Sequence, residues 1–216
     1  MRILFLGPPA AGKGTQAKML QERTNVSLLV MGDILREAIQ KQDEAGKELE
    51  KYVKQGVLVP DPLVIQIIMH RLELTEKSSP GFLLDGFPRT IQQAQALEKA
   101  MQEKNWRLDY VIYYKLEDAL AIERIAGRRV CKKCNSIYHI KYNPPKQENI
   151  CDSCNGELFQ RSDDKEDVMK TRLSAYYEKT MPLLSYYKGK GILIEINANN
   201  TIEKVSEETL KYLKIF

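Results

Sequence analysis

The sequence is poor in histidine, with two residues, His70 and His139, among 216. A His-centred acid–base pair therefore has little to work with, and no Ser/His/Asp or Cys/His grouping stands out. Long apolar runs are also missing, and none approaches the roughly 20 residues needed to span a bilayer. The short apolar start Ile3-Leu4-Phe5-Leu6 runs into Gly7-Pro8-Pro9 without a signal-peptide core or cleavage site. The expectation is a cytoplasmic protein with no membrane partner. Nor is there a large excess of one charge: 33 Lys and Arg stand against 29 Asp and Glu, a net of +4. So small an excess argues against a general nucleic-acid binder and suits a local cationic site for an anionic ligand. Cysteine is absent except in one window, where Cys131, Cys134, Cys151 and Cys154 form C-x2-C twice.

What is present begins with Gly7-Pro8-Pro9-Ala10-Ala11-Gly12-Lys13-Gly14-Thr15. This stretch follows an apolar run and precedes a helical segment from Gln16 to Arg23, the context in which a glycine loop wraps phosphates with its backbone N–H groups. Lys13 supplies a mobile positive charge for the outer phosphates. The match to G-x-x-x-x-G-K-[ST] departs at Gly14, with Thr15 one place late.

Five near-continuous apolar runs predict buried parallel strands: Ile3–Gly7, Ser27–Met31, Gly81–Asp85, Tyr110–Leu116 and Ile192–Asn197. Helical patterns alternate with them: Asp33–Gln40 with Asp33 as N-cap, Glu44–Gln55 ending at Gly56, Pro62–Leu74, Thr90–Glu103, Glu117–Gly127, Asp167–Lys188 and Ile202–Leu213. The expected fold class is α/β, a doubly wound five-stranded parallel sheet with right-handed crossovers. Gly7, Met31, Asp85 and the Asn197–Asn200 loop all follow strand ends, so they meet on the rim where such sheets bind ligands. Two segments break the alternation. Residues 32–60 give two helices without a strand, and residues 128–164 carry the cysteines, Pro144-Pro145 and little helical periodicity, which reads as an inserted lobe.

Four thiolates in two C-x2-C knuckles close a tetrahedral site, so a metal there is structural; zinc is the first choice, with iron satisfying the same ligands. A lobe this small has little core of its own, and the metal holds it together. His139, just after the first knuckle, reads as a bystander. Asp85, ending the run Phe82-Leu83-Leu84, is placed to act on Mg²⁺, directly or through water. Arg124, Arg128 and Arg129 precede the lobe, Arg161 and Arg172 follow it, and Arg36 and Arg89 flank the other half of the site. Bidentate guanidinium groups clamp crowded phosphates, and Asp163-Asp164 are either their orienting partners or a plain acidic loop. Arg23, Arg71 and Arg107 read as surface charges.

Together these stretches resemble adenylate kinase of the bacterial long form, with a zinc-bearing lid. The carrying residues are Gly7 to Gln16, Gly32-Asp33-Ile34-Leu35-Arg36, Gly56-Val57-Leu58-Val59-Pro60-Asp61, Leu84-Asp85-Gly86-Phe87-Pro88-Arg89-Thr90, Gly127-Arg128-Arg129, the cysteine knuckles, Gln160-Arg161-Ser162-Asp163-Asp164 and Arg172-Leu173. The resemblance implies a P-loop nucleoside monophosphate kinase core (1–30, 61–126, 165–216), an AMP-binding flap (31–60) and a lid with structural zinc (127–164). It implies reversible transfer from Mg-ATP to AMP giving two ADP, in a monomer. ATP would meet Ala10, Ala11, Gly12, Lys13, Gly14, Thr15, Arg124, Arg128, Ile137, Tyr138 and Asn200. AMP would meet Met31, Arg36, Val57, Leu58, Val59, Gly86, Phe87, Pro88, Arg89, Gln93, Arg161 and Arg172. Lys13, Arg89, Arg128, Arg161 and Arg172 would be catalytic. The family usually has Gly where Ala10 stands, Thr where Met31 stands, and Gln or Lys at Asn200. Two rivals remain. One keeps the fold and accepts UMP or CMP. The other is a zinc-ribbon nucleic-acid-binding or switch protein using ATP as a ligand, whose basic stripe Lys132, Lys133, Tyr138 and Tyr142 is interrupted by Glu148, Asp152 and Glu157.

Overall fold

Ile3, Leu4 and Phe5 alternate across a strand, yet each is at most 1% exposed. Both faces of that strand are therefore covered, and this is why an unbroken apolar run forms the sheet centre. A computed structural model describes residues 1–76 and 81–215. In it β1 (Arg2–Leu6), β2 (Ser27–Val30), β3 (Phe82–Asp85), β4 (Tyr110–Lys115) and β8 (Leu193–Asn197) form one sheet in the order β2-β3-β1-β4-β8. Every pairing is parallel. Leu4 lies opposite Leu84 and Val111. Leu4 and Leu6 face a core with Phe87, Leu97 and Leu183, while Ile3 and Phe5 face one with Ala17, Leu20, Ile125 and Val205. Phe5 meets Tyr114 edge-on at 5.0 Å, and the Tyr114 hydroxyl finds Thr209 Oγ1 at 3.1 Å.

Helices fill the crossovers: α1 (Lys13–Arg23), α2 (Met31–Gln40), α3 (Glu44–Gln55), α4 (Asp61–Glu76), α5 (Ile91–Glu103), α6 (Asp118–Ala126), α7 (Glu166–Ala175), α8 (Pro182–Gly189) and α9 (Ile202–Leu213). Helix α3 begins with the Asp43 carboxylate accepting from Gly46 N–H at 2.7 Å and ends at Gly56 in the left-handed region, φ 71°. Thr90 caps α5 by accepting from the Gln93 N–H.

Two helix expectations change. Asp33 is not an N-cap: α2 already starts at Met31, directly off β2, and the Asp33 carboxylate is taken by Arg36 one turn on. The long helix expected over 167–188 is interrupted by a π-helical turn at Tyr176–Thr180. Pro182 lacks the N–H that would continue the α-helical ladder, and Met181 N–H instead reaches back to Tyr176 C=O at 2.9 Å.

The cysteine-bearing segment folds as a separate lobe. Strands β5 (Arg128–Cys131), β6 (Ile137–His139) and β7 (Leu158–Phe159) pair antiparallel in the order β6-β5-β7. They are too short to leave a periodic signature in sequence. At the neck, a Cβ on Gly127 would lie 2.4 Å from the His139 ring, so any side chain there would have to push that ring aside. Among the described residues, no helix is long and apolar enough to cross a membrane.

Candidate active site

The glycine loop turns where side chains have no room. A Cβ on Gly7 would lie 2.6 Å from the Tyr114 carbonyl oxygen, and Gly7 and Gly12 both have positive φ, 145° and 83°. Ala10 also takes a positive φ, 62°, without being glycine. The first N–H groups of α1, which a helix leaves without intrahelical acceptors, lie at residues lining the cleft from Lys13 to Thr15. The Lys13 ammonium donates to Gly7 C=O at 2.9 Å and Pro8 C=O at 2.8 Å. Burial pulls its pKa down to about 8; nearby Asp85 opposes this, while Arg89, Arg172 and Arg128 add to it. A buried cation beside three others is a site short of negative charge.

Asp85 ends β3 in register with Phe5 and Val30, so the strand ends share one rim. Its Oδ2 lies 3.6 Å from where a Cβ on Gly14 would stand. Burial raises its pKa, against the pull of Lys13 and then Arg89. A carboxylate facing a phosphate loop from a dry strand end is a hard oxygen donor of the kind magnesium takes, and such an ion would offset the cost of its burial.

The cleft encloses about 580 Å³. Lys13, Lys18, Arg36, Arg89, Arg124, Arg128, Arg161 and Arg172 line it, against Asp33, Asp85, Asp163 and Glu203. The acids hold the arginines in place. Arg172 Nη1 meets Asp163 Oδ2 at 2.9 Å and Asp164 Oδ1 at 3.7 Å. Arg128 grips Asp164 with two nitrogens, Nε at 2.9 Å and Nη2 closer still. Arg161 lies 3.7 Å from Asp33. Burial pulls Arg161 and Arg172 down to about 10, the first helped most by Arg36, the second opposed most by Asp163. Burial also acts to raise Asp163, but Arg172, Arg128, Arg36 and Arg161 outweigh it and leave that carboxyl below its usual range. Asp163-Asp164 are thus the arginines' partners rather than a plain acidic loop. Arg89 donates from Nε to Gly86 C=O at 2.9 Å.

Two differently lined halves extend from this cationic centre. One is largely apolar, with Met31, Leu35, Val53, Leu58, Val59 and Val64, and Gln93 supplies a buried amide. The other lies between the core and the cysteine lobe. It has Leu120, Arg124, Ile137, Tyr138, His139, Tyr142 and Asn200. Here Arg124 donates to Asn200 C=O at 3.3 Å and lies 5.9 Å from the Tyr142 ring centroid. The lobe reaches the loop helix: Lys18 Nζ donates to Asn135 C=O at 3.0 Å, and Ile137 Cδ1 comes 3.5 Å from the Gly14 Cβ position.

Every residue expected at the nucleotide sites lines this cleft except Phe87 and Pro88. Phe87 is fully buried in the core, and the peptide bond joining it to Pro88 is cis. The Tyr138 hydroxyl turns away into the second knuckle, where it accepts from Asp152 N–H at 2.8 Å. Arg129 also turns away, donating to Ala126 and Arg128 carbonyls. His139, read from sequence as a bystander, lines the cleft with its ring 4.6 Å from Tyr142. Its one sequence signal was its place beside Ile137 and Tyr138.

The four cysteine sulfurs lie within 4.8 Å of one another. Cys131 and Cys154 Sγ are 3.4 Å apart, and Cys134 and Cys151 Sγ 3.5 Å. Sulfurs about 2.3 Å from one tetrahedral ion are separated by similar distances, so the set fits zinc. The two knuckles repeat one backbone pattern. Cys131 N–H donates to Ser136 C=O and Cys151 N–H to Gly156 C=O, while Asn135 and Asn155, both at φ 57°, donate back to the Cys131 and Cys151 carbonyls. A Cβ on Gly156 would intrude to 2.9 Å from Cys131 Sγ, so the backbone is shaped around the sulfurs.

Comparison with known proteins agrees with this geometry. The family model described as adenylate kinase matches residues 5–192. An adenylate kinase of Caldicellulosiruptor saccharolyticus is 46% identical over 215 residues, covering 100% of both chains. One of Archaeoglobus fulgidus is 45% identical over 96% of this chain and 95% of its own. One of Methanocella arvoryzae is 47% identical over 96% of each. The chain belongs to the adenylate kinase family and is an enzyme of that activity, a phosphotransferase acting on adenine nucleotides.

Proposed function

We propose that ATP binds between the glycine loop and the cysteine lobe, that AMP binds in the apolar half, and that the phosphoryl group crosses between them at Lys13. The observation that carries this reading is the position of Lys13. It is held by the loop carbonyls with Arg89, Arg128 and Arg172 around it, where the two halves of the cleft join.

In this reading the backbone of Ala10, Ala11, Gly12, Gly14 and Thr15 holds the donor phosphates. Arg124, Ile137, Tyr138 and Asn200 border the donor nucleoside. Met31, Val57, Leu58, Val59, Gly86 and Gln93 border the acceptor nucleoside, with Arg36 and Arg89 on its phosphate. Phosphoryl transfer needs little covalent help from the protein, so positioning and charge stabilisation dominate. Lys13, Arg128, Arg161 and Arg172 concentrate donors where negative charge develops on the transferring group. Bound beside Asp85, magnesium supplies charge neutralisation at the donor phosphates.

Residues 127–164 act as a lid and 31–60 as a flap over the core of 1–30, 61–126 and 165–216. The Arg161–Asp33 pair, which joins the end of one to the other, supports an arrangement in which both are closed. Closure excludes water, so the arginine clamp is complete only when the competing nucleophile is absent. Zinc on Cys131, Cys134, Cys151 and Cys154 keeps the lid rigid as a unit. The small net charge of +4 supports nucleotides rather than nucleic acid as partners. The enzyme works as a cytoplasmic monomer.

Acceptor competition tests the reading. With ATP as donor, AMP is expected to be turned over far better than CMP or UMP, and equal turnover of CMP overturns the acceptor assignment. A bisubstrate mimic of two adenosines joined through phosphates is expected to bind one per chain and protect residues of both halves from hydrogen exchange.

A further inference from the structure

Gln93 is only 2% exposed, and both ends of its amide are engaged by groups that leave no choice of orientation. The Arg89 backbone N–H can only donate, and it reaches Gln93 Oε1 at 2.7 Å. On the other side Gln93 Nε2 donates to Asp61 Oδ1 at 2.7 Å, and an ionised carboxylate only accepts. Asp61 is itself held. Its other oxygen accepts from the Thr90 hydroxyl at 2.7 Å, and Thr90 Oγ1 in turn accepts from Gln93 N–H at 3.1 Å. That hydroxyl has one proton, and it points to Asp61. Asp61, at the start of α4, thus braces across to the first turn of α5 and to the amide there.

We infer that Asp61 is a positioning residue: together with the Arg89 N–H, it fixes which end of the Gln93 amide is the donor and so sets the preference of the acceptor site for a 6-aminopurine over a 6-oxopurine. The inference rests on the reading that the acceptor base lies in the apolar half against Gln93. Each amide atom keeps one further hydrogen-bonding capacity, an N–H on Nε2 and a lone pair on Oε1. A 6-aminopurine presents an acceptor at N1 beside a donor at the 6-amino group, the complement of this N–H and lone pair. A 6-oxopurine presents the reverse, a donor at N1 beside an acceptor. A freely turning amide accepts either edge by flipping. A braced amide accepts the first and leaves buried groups unpaired against the second, and such pairing mismatches give strong discrimination.

Asp61 also lies in the first turn of α4, where a negative charge favours the helix dipole, so a simple loss of stability does not separate the two roles. Asp61→Asn does. It removes the charge but keeps an oxygen that accepts from Gln93, whereas Asp61→Ala removes the acceptor as well. The test measures kcat and KM for AMP and for IMP with ATP as donor, in the parent, Asp61→Ala, Asp61→Asn and Gln93→Ala proteins, alongside thermal melting. The parent is expected to prefer AMP. In Asp61→Ala the Arg89 N–H is left as the one brace on the amide, and the ratio of kcat/KM for AMP to that for IMP should fall by roughly threefold or more, through KM for AMP more than kcat. In Asp61→Asn the ratio should return most of the way to the parent value even if melting falls equally in both variants. An unchanged ratio in folded Asp61→Ala, with Gln93→Ala still losing discrimination, overturns the positioning role alone. An unchanged ratio in Gln93→Ala overturns the base-site reading and the inference with it.

Discussion

Arg128 is locked to Asp164 through two guanidinium nitrogens, and the Asp164 side chain is completely buried while that of Arg128 is 16% exposed. The geometry matters more than the attraction. A buried pair returns little net stability because both charges lose their water, but breaking one leaves the other uncompensated. The arginine is therefore held in one rotamer at the edge of the cleft, its entropy lost on folding rather than on binding nucleotide.

Asp164→Asn keeps the shape and removes the charge. It is expected to destabilise the fold by about 3 kcal/mol and to lower kcat by roughly tenfold or more as Arg128 loses its fixed direction. Denaturant titration and steady-state kinetics check the two effects. A variant with wild-type kcat shows that turnover does not depend on Asp164 holding Arg128.

The cysteine lobe has a small core of its own, with Tyr138 and Leu158 packed against the buried Cys131 and Cys151. Apolar area this small does little to hold a lobe together, so a metal on the four cysteines is expected to contribute much of its stability. One zinc per chain is expected by elemental analysis, with iron below it. Chelation is expected to lower the first melting transition, and hydrogen exchange should speed up at 128–159 before the parallel sheet is affected. A chelated, metal-free protein whose lobe exchanges as slowly as before would falsify the structural role.

The features legible in sequence are those set by short spacing. Gly7 to Thr15, the two C-x2-C knuckles and Asp85 each have their signature within a few residues, and the structure puts the loop and Asp85 on the cleft and the four sulfurs together. The parallel sheet was legible because burial on both faces leaves unbroken apolar runs. What was not legible depends on partners distant in the chain. Nothing near Asp164 says that it rather than Asp163 takes both nitrogens of Arg128, and nothing near Gln93 points to Asp61. The break at Tyr176–Thr180 follows from one missing N–H at Pro182, which a periodic pattern of apolar residues does not reveal. That the Phe87 ring packs in the core while its motif neighbours Gly86 and Arg89 line the cleft is likewise not legible, because the motif alone does not say which way each side chain turns.

Ala10 holds a left-handed backbone, φ 62°, in the middle of the glycine loop. For a residue with a Cβ that conformation costs about 1 kcal/mol, which glycine avoids. Ala10→Gly is therefore expected to be neutral or to stabilise by up to about 0.5 kcal/mol, the relief of strain being largely offset by the extra freedom glycine gives the unfolded chain. Gly7→Ala goes the other way: its Cβ would meet the Tyr114 carbonyl oxygen at 2.6 Å, so a large loss of stability is expected. Chemical denaturation of the two variants checks the pair.

Lys13→Ala is expected to lower kcat by several orders of magnitude with the fold and metal content unchanged, if its ammonium, which lies among the cations lining the cleft, meets the transferring group as proposed. Its titration gives a sharper test. With the folded pKa near 8 against an ordinary 10.5, the unfolded chain binds the extra proton between those values. This one group therefore makes stability increase as pH rises through that window. Activity runs the opposite way. In the free enzyme the ammonium is lost above about pH 8, so kcat/KM for ATP should fall, approaching tenfold per pH unit on the alkaline limb. Bound phosphates supply the negative charge that the empty cleft lacks, which raises the pKa of Lys13 in the complex. The decline in kcat at saturating ATP should therefore begin at higher pH than the decline in kcat/KM. Coincident alkaline limbs for the two parameters would show that Lys13 does not contact the phosphates.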